Sequence, residues 1–190
     1  MSDTLRSALL FLLNSLFDLY LFVLMVRIIL VWVRSNYFNP VTQFVVRVTD
    51  FLVQPMRKVI PNFRHIEIAT VVLALLVEML KFFLISCLSY GMPNPLGLPI
   101  LAFADILYLL IKTFTYAIIL QAILSFVQPS SPLAGTLARF VSPVMRPVQR
   151  LVPPVGGIDL SPIPALIGLQ LLSIVLVGPL MTLGQGVAFG

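Results

Sequence analysis

Four long apolar runs, broken by polar and proline-rich stretches, organise the chain: Leu9–Val33, Ile66–Tyr90, Ile100–Val127 and Ile163–Leu183. Each reaches the roughly 20 mostly apolar residues that a helix needs to cross a bilayer. In lipid a lone segment satisfies its backbone N–H and C=O groups only through its own i→i−4 bonds, so each run is predicted to be a transmembrane helix. The first and third exceed the minimum and should tilt or protrude into the headgroups. Gly91–Pro99 is short and uncharged, and its three prolines and two glycines make it a breaker.

The other two connections each exceed 30 residues and follow one plan. A polar turn ending in proline (SNYFNP, QPSSP) leads into an amphipathic stretch, over 40–60 in the first and 132–152 in the second. In the first, Val41, Phe44, Val45, Val48, Phe51 and Leu52 recur at helical spacing opposite Gln43, Arg47, Asp50 and Gln54. In the second, Leu133, Leu137, Phe140, Val141, Val144 and Val148 lie opposite Arg139 and Ser142. Such a stripe fits a helix lying in the membrane interface, or one packed on the end of a bundle. The two connections also match at a constant offset of 92 residues: Pro40 with Pro132, Arg47 with Arg139, Pro55 with Pro147, Lys58 with Arg150, Pro61 with Pro153, Ile66 with Ile158, Glu67 with Asp159. The predicted fold is all-α and integral to the membrane. Its four transmembrane helices form two tandem parallel repeats, 1–97 and 98–190, each a helix, an amphipathic loop and a helix.

Composition excludes a soluble alternative. Charged residues are 10% of the chain, against about 25% in a typical soluble domain. The apolar start is too long for a cleaved signal and has no small-residue cleavage site, so it is expected to stay as a helix. Eight of the 12 basic residues fall in the two long connections: Arg34, Arg47, Arg57, Lys58, Arg64, Arg139, Arg146 and Arg150. Basic residues near span ends mark the cytoplasmic side, so both long loops are expected inside and both termini outside a bacterial inner membrane. Basic loops fixed beside lipid favour an anionic lipid partner over direct nucleic-acid binding. A membrane-protein partner or a homo-oligomer is also expected.

The stretches FNPVTQFVVRVTDFLVQPMRKVIP and SPLAGTLARFVSPVMRPVQRLVPPVGGIDLSP resemble the YggT family of bacterial membrane proteins, which has plastid relatives of the YlmG type. The second stretch is the more specific, and the resemblance covers the whole chain, duplication included. It departs at Ser142, where an acidic residue often precedes the proline. The resemblance implies association with osmotic tolerance and potassium uptake, as in bacterial members. Plastid members imply membrane-protein biogenesis and nucleoid organisation.

Six ionisable residues lie inside the spans: Asp18, Arg27, Glu78, Lys81, Asp105 and Lys112. A charge at depth is costly unless paired or wet, and these six sum to zero. Counting from the loop-side ends puts Asp18, Lys81 and Lys112 at one level, with Glu78 within reach of Lys112. The expected arrangement is a polar seam among the first three helices, with Lys81 and Lys112 pairing with Asp18 and Glu78. It serves either as a structural network or as a hydrated ion path. The basic loop motifs are Arg47, Arg57, Lys58, Arg139, Arg146 and Arg150. Cys87 and His65 are the sole residues of their kinds. That leaves no disulfide within the chain and a poor metal site; Cys87 is expected to be buried and His65 to fill a loop. There is no His pair, GxSxG or phosphate-cradling loop, so neither an enzyme nor a cofactor is expected. Gly156 and Gly157 read as a turn before the fourth span, capped by Asp159 or Ser161. The functional expectation is a non-enzymatic protein that organises or assists membrane complexes through its basic loops. The alternatives are cation (potassium or proton) movement tied to osmotic stress, and an assembly factor for a membrane complex.

Overall fold

A computed structural model describes residues 3–36, 39–61, 67–89, 91–128, 131–152 and 159–190. The expectations for Arg64, His65, Gly156 and Gly157 fall outside them. The described residues form α1 (Asp3–Trp32), α2 (Pro40–Val59), α3 (Ile68–Ser89), α4 (Leu98–Val127), α5 (Pro132–Leu151), α6 (Pro162–Leu172), a π-helical turn (Ser173–Val177) and α7 (Gly178–Phe189), with no strand among them. Four helices are long and apolar enough to cross a membrane: α1, α3, α4 and the continuous run Pro162–Phe189. Their perimeter is apolar and open, with Phe11 at 74%, Leu19 at 64% and Val175 at 66% exposure. Contiguous surface of this kind is a liability in water and the normal state against acyl chains. Cys87 belongs to this perimeter. The expected burial is corrected, because an apolar position in lipid need not face the protein core.

α1 packs on α3 and α4, α3 on α4, and α4 on α7. Leu21, Leu24, Met25, Val53, Leu73 and Ala74 fill the space among α1, α2 and α3. Ile29, Ile118, Phe140, Val141, Met145 and Ala165 do so among α1, α4, α5 and α6. Within that second core the Phe114 and Phe140 rings lie 6.0 Å apart at a tilt.

The two loop-side helices start alike. Asn39 accepts a hydrogen bond from Val41 N at 2.9 Å, and Ser131 accepts one from Ala134 N at 3.1 Å. A proline follows each cap, where its missing N–H costs nothing. The starts are tied together by Asn39 Nδ2, which donates to Thr136 Oγ1. The helices then differ. α5 lays most of its apolar stripe on the bundle, burying Phe140, Val141 and Met145. α2 has three sides instead. Thr42, Val45, Thr49 and Val53 are buried against the bundle; Arg47, Gln54 and Lys58 are exposed on a polar side. Phe44, Val48, Phe51 and Leu52 form an exposed apolar row on the third side. The stripe predicted for this segment is thus divided, and Val45 alone of its six members is buried.

α1 ends in a Schellman motif. Ser35 N donates to Leu30 O at 2.9 Å and Arg34 N to Val31 O at 3.1 Å. Arg34 takes the left-handed position with φ +52°, one that glycine usually fills. In the last span Pro179 cannot donate to Val175 and its ring crowds that carbonyl. The preceding turn widens, and Gly178 N reaches back to Ser173 O. At the other end of the bundle Asn94 N donates to Ala188 O at 3.0 Å. Gly97 sits so close to Ala188 that a Cβ there would lie 2.5 Å from its backbone nitrogen. Ser161 begins α6 without capping it. Its hydroxyl and amide are engaged by Asp159 Oδ1, at 2.5 and 2.9 Å. Pro162 and Pro164 lack the first-turn donors a cap would serve.

Candidate functional site: two buried charge clusters and a basic loop face

The six ionisable span residues divide three ways. Lys81 Nζ is the hub of the first group, 3.0 Å from Asp18 Oδ1, 2.5 Å from Glu78 Oε1 and 2.8 Å from Asp105 Oδ2. One ammonium is shared by carboxylates from α1, α3 and α4. Glu78 is fully buried, whereas the Asp18 side chain is 51% exposed. The expected pairing of Lys81 with Asp18 is present. The expected pairing of Glu78 with Lys112 is not: Glu78 turns to Lys81 one helical turn away, and Lys112 Nζ lies over the Tyr108 ring, 4.5 Å from its centroid. Counting depth from helix ends assumes that the ends are flush. α4 has 30 residues and α3 has 22, a difference of about 12 Å at about 1.5 Å per residue. Its loop end projects further, which brings Asp105 rather than Lys112 to the level of Lys81.

Arg27 belongs to a second cluster, at the loop side. Its guanidinium is 1% exposed and grips Glu67 in bidentate fashion, Nε to Oε2 at 2.7 Å and Nη2 to Oε1 at 3.1 Å. Nη1 reaches Thr49 Oγ1 at 2.5 Å and Asp50 Oδ1 at 2.8 Å. Glu67 also accepts from Arg57 and, at 2.5 Å, from Thr70 Oγ1. Burial works against the Glu67 carboxylate, but the hydrogen bonds from Arg27, Thr70 and Arg57 outweigh it and hold its pKa below the ordinary value. The cluster fastens α2 to α1 and to the start of α3. Arg57, expected among the lipid-facing loop cations, is half committed to this clamp. Sequence reasoning missed Thr49, Asp50 and Glu67 as partners of Arg27, and Thr70 as a donor to Glu67. The available signal was the pairing of Glu67 with Asp159 at offset 92.

Asp159 has the corresponding place in the second half. Gln149 Nε2 donates to it at 3.0 Å, and burial is outweighed by the Ser161 and Gln149 hydrogen bonds, so its pKa is lowered as well. The remaining loop cations are exposed: Arg47 and Lys58 on α2, and Arg139, Arg146 and Arg150 on α5. The last three line a cavity of about 660 Å³ together with Trp32 and Arg34 at the end of α1. Among the described residues no group of three or more His, Cys, Asp or Glu is placed to hold a metal ion.

A family model described as CCB3/YggT matches residues 6–88 and 100–180. The chain belongs to the CCB3/YggT family. Among its relatives is an uncharacterised protein of Pseudomonas aeruginosa, 36% identical over 180 residues that cover 93% of this chain and 91% of the relative. The YggT protein of Escherichia coli K12 is 36% identical over 158 residues, 80% of each chain. A Vibrio alginolyticus protein named for its place in the proC 3′ region is 34% identical over 169 residues, 84% of this chain and 88% of the relative. No solved structure matches. CCB3/YggT membership and the four apolar helices make this a membrane protein.

Proposed function

We propose that this CCB3/YggT protein is a non-enzymatic organiser of membrane complexes that works from its loop side through α2 and α5, and that this side is cytoplasmic. The observation that carries the reading is the third side of α2. Phe44, Val48, Phe51 and Leu52 are held outward in a row on a helix whose other flank is locked by the Arg27–Glu67 clamp. A helix anchored this firmly loses little further freedom when a second apolar surface covers the row, which favours association. The occupant is a helix of another membrane protein or of a second copy. Lys81 sits between the three carboxylates, which supports a fixed structural cluster over an ion path.

A tandem duplication accounts for the shared plan of the two halves. α2 and α5 begin and end 92 residues apart, the Arg57–Glu67 and Gln149–Asp159 contacts share that offset, and the family model matches two stretches of similar length. The experiment for the functional reading is a photo-crosslinking residue at Phe51, with one at Gln54 as the polar-side control, in native membranes. Discrete protein adducts at 51 and none at 54 are expected. Adducts to lipid alone at both positions would overturn the reading.

A further inference from the structure

The arginine-lined cavity has features that the docking role of α2 leaves unexplained. Trp32, Val33 and Arg34 close it from the end of α1, and α5 supplies Arg139, Arg146 and Arg150. The three α5 arginines stand at spacings of seven and four, which place them on one side of a helix. Among the described residues no acidic side chain lines the space, and none lies within 4.0 Å of these three to pair with them, in contrast to Arg27 and Arg57. The positions outside the described residues contain no Asp or Glu that could supply one. Three arginines on one side of α5 with no carboxylate beside them are unfavourable by themselves and complementary to an anion.

Arg34 is the second observation. It holds a left-handed φ of +52° at the end of α1, where a side chain is strained and glycine is relaxed. An arginine kept in that conformation on the rim of the cavity puts the strain beside a concentration of charge. Depth decides the source of the anion. The cavity opens where the first apolar span ends, and Trp32 is 48% exposed there, the level at which tryptophan meets headgroups.

We infer that the cavity formed by the end of α1 and the basic side of α5 is a binding site for the phosphate of an acidic glycerophospholipid. Guanidinium groups grip phosphate oxygens bidentately, and arginines from two helices can engage one headgroup from both sides. The site is separate from the apolar row of α2, so either stands if the other fails.

Trp32 is the only tryptophan of the chain and reports on the cavity directly. The full-length protein is reconstituted in phosphatidylcholine containing increasing brominated phosphatidylglycerol, with brominated phosphatidylcholine as the reference. Half-maximal quenching of Trp32 is expected at a several-fold lower mole fraction of the acidic lipid. Arg34→Gly should abolish most of that preference while a cooperative thermal melt shows the fold retained, because glycine is relaxed at the left-handed residue. Arg47→Gln, exposed on α2 outside the cavity, should keep the preference. Equal quenching by the two lipids overturns the site. So does a preference that survives Arg34→Gly but falls with Arg47→Gln, which means diffuse surface attraction. Relief of quenching by millimolar inorganic phosphate at constant ionic strength, with potassium chloride alone inert, assigns the cavity to free phosphate and overturns the lipid.

Discussion

Glu67 serves two arginines and a threonine at once from a buried position, so its charge is worth most in the folded state. Its folded pKa lies below the ordinary value. The stability it contributes is therefore present above the ordinary carboxyl pKa, and is lost as pH falls through the lower, folded one. Glu67→Gln should lower stability at neutral pH by about 3 kcal/mol or more, the typical result of leaving a buried arginine short of its partner. It should also flatten the acid limb of the stability profile; melting in detergent from pH 7 to pH 3 measures both, and an unchanged limb sinks the assignment. The Lys81 hub predicts an asymmetry. Lys81→Met leaves three carboxylates facing one another and should cost about 3–5 kcal/mol, whereas Glu78→Gln removes one of three negative charges and should cost clearly less. Thermal melts of both variants and of the double mutant decide it, and the reverse order would refute the shared-hub arrangement. The pairing of Lys81 with Asp18 was legible in the sequence, because charge balance and depth both point to it. The Arg27 clamp was not. Its partners are spread over a loop helix and the start of the next span, and only packing brings them together.

At the scale of elements, lipid makes the sequence speak plainly. A spanning segment must be helical and apolar, so the four spans could be read with errors only at their ends. α1 begins at Asp3 and not Leu9, and the last span runs to Phe189 and not Leu183. Headgroup depth tolerates polar residues that a hydropathy boundary rejects. The faces of α2 were harder to read. An apolar stripe says that a helix meets something apolar, not whether that is protein or lipid, and Thr42 and Thr49 took the bundle side because hydrogen bonds outbid hydrophobicity there. Two glycines test the packing. Gly97→Ala should destabilise by about 1–3 kcal/mol, since its Cβ would meet the Ala188 backbone. Gly135→Ala, inside α5 with nothing within 4 Å, should stabilise by about 0.5–1 kcal/mol. Melting temperatures that move the same way would contradict the close approach of the short connection to α7.

For the whole molecule the decisive quantity is orientation, since the proposed organising role depends on which compartment α2 and α5 face. With Cys87 replaced by alanine, a membrane-impermeant thiol reagent should label a cysteine at Asn94 in intact cells and leave one at Ser131 untouched. Labelling at Ser131 alone inverts the topology and places the basic face outside. The sharing of Lys81 among three helices also bears on how the chain is made. Glu78 and Lys81 sit one turn apart in α3 and can enter lipid as a neutralised pair, joining Asp18 of a helix already inserted. Asp105 has no such companion of opposite charge within a turn of its own helix, so α4 is poorly suited to linger alone in the bilayer after leaving the translocon. Its stable resting place is against Lys81. Synthesis order then becomes assembly order: the first two spans form a half-built socket, and the third is captured by it.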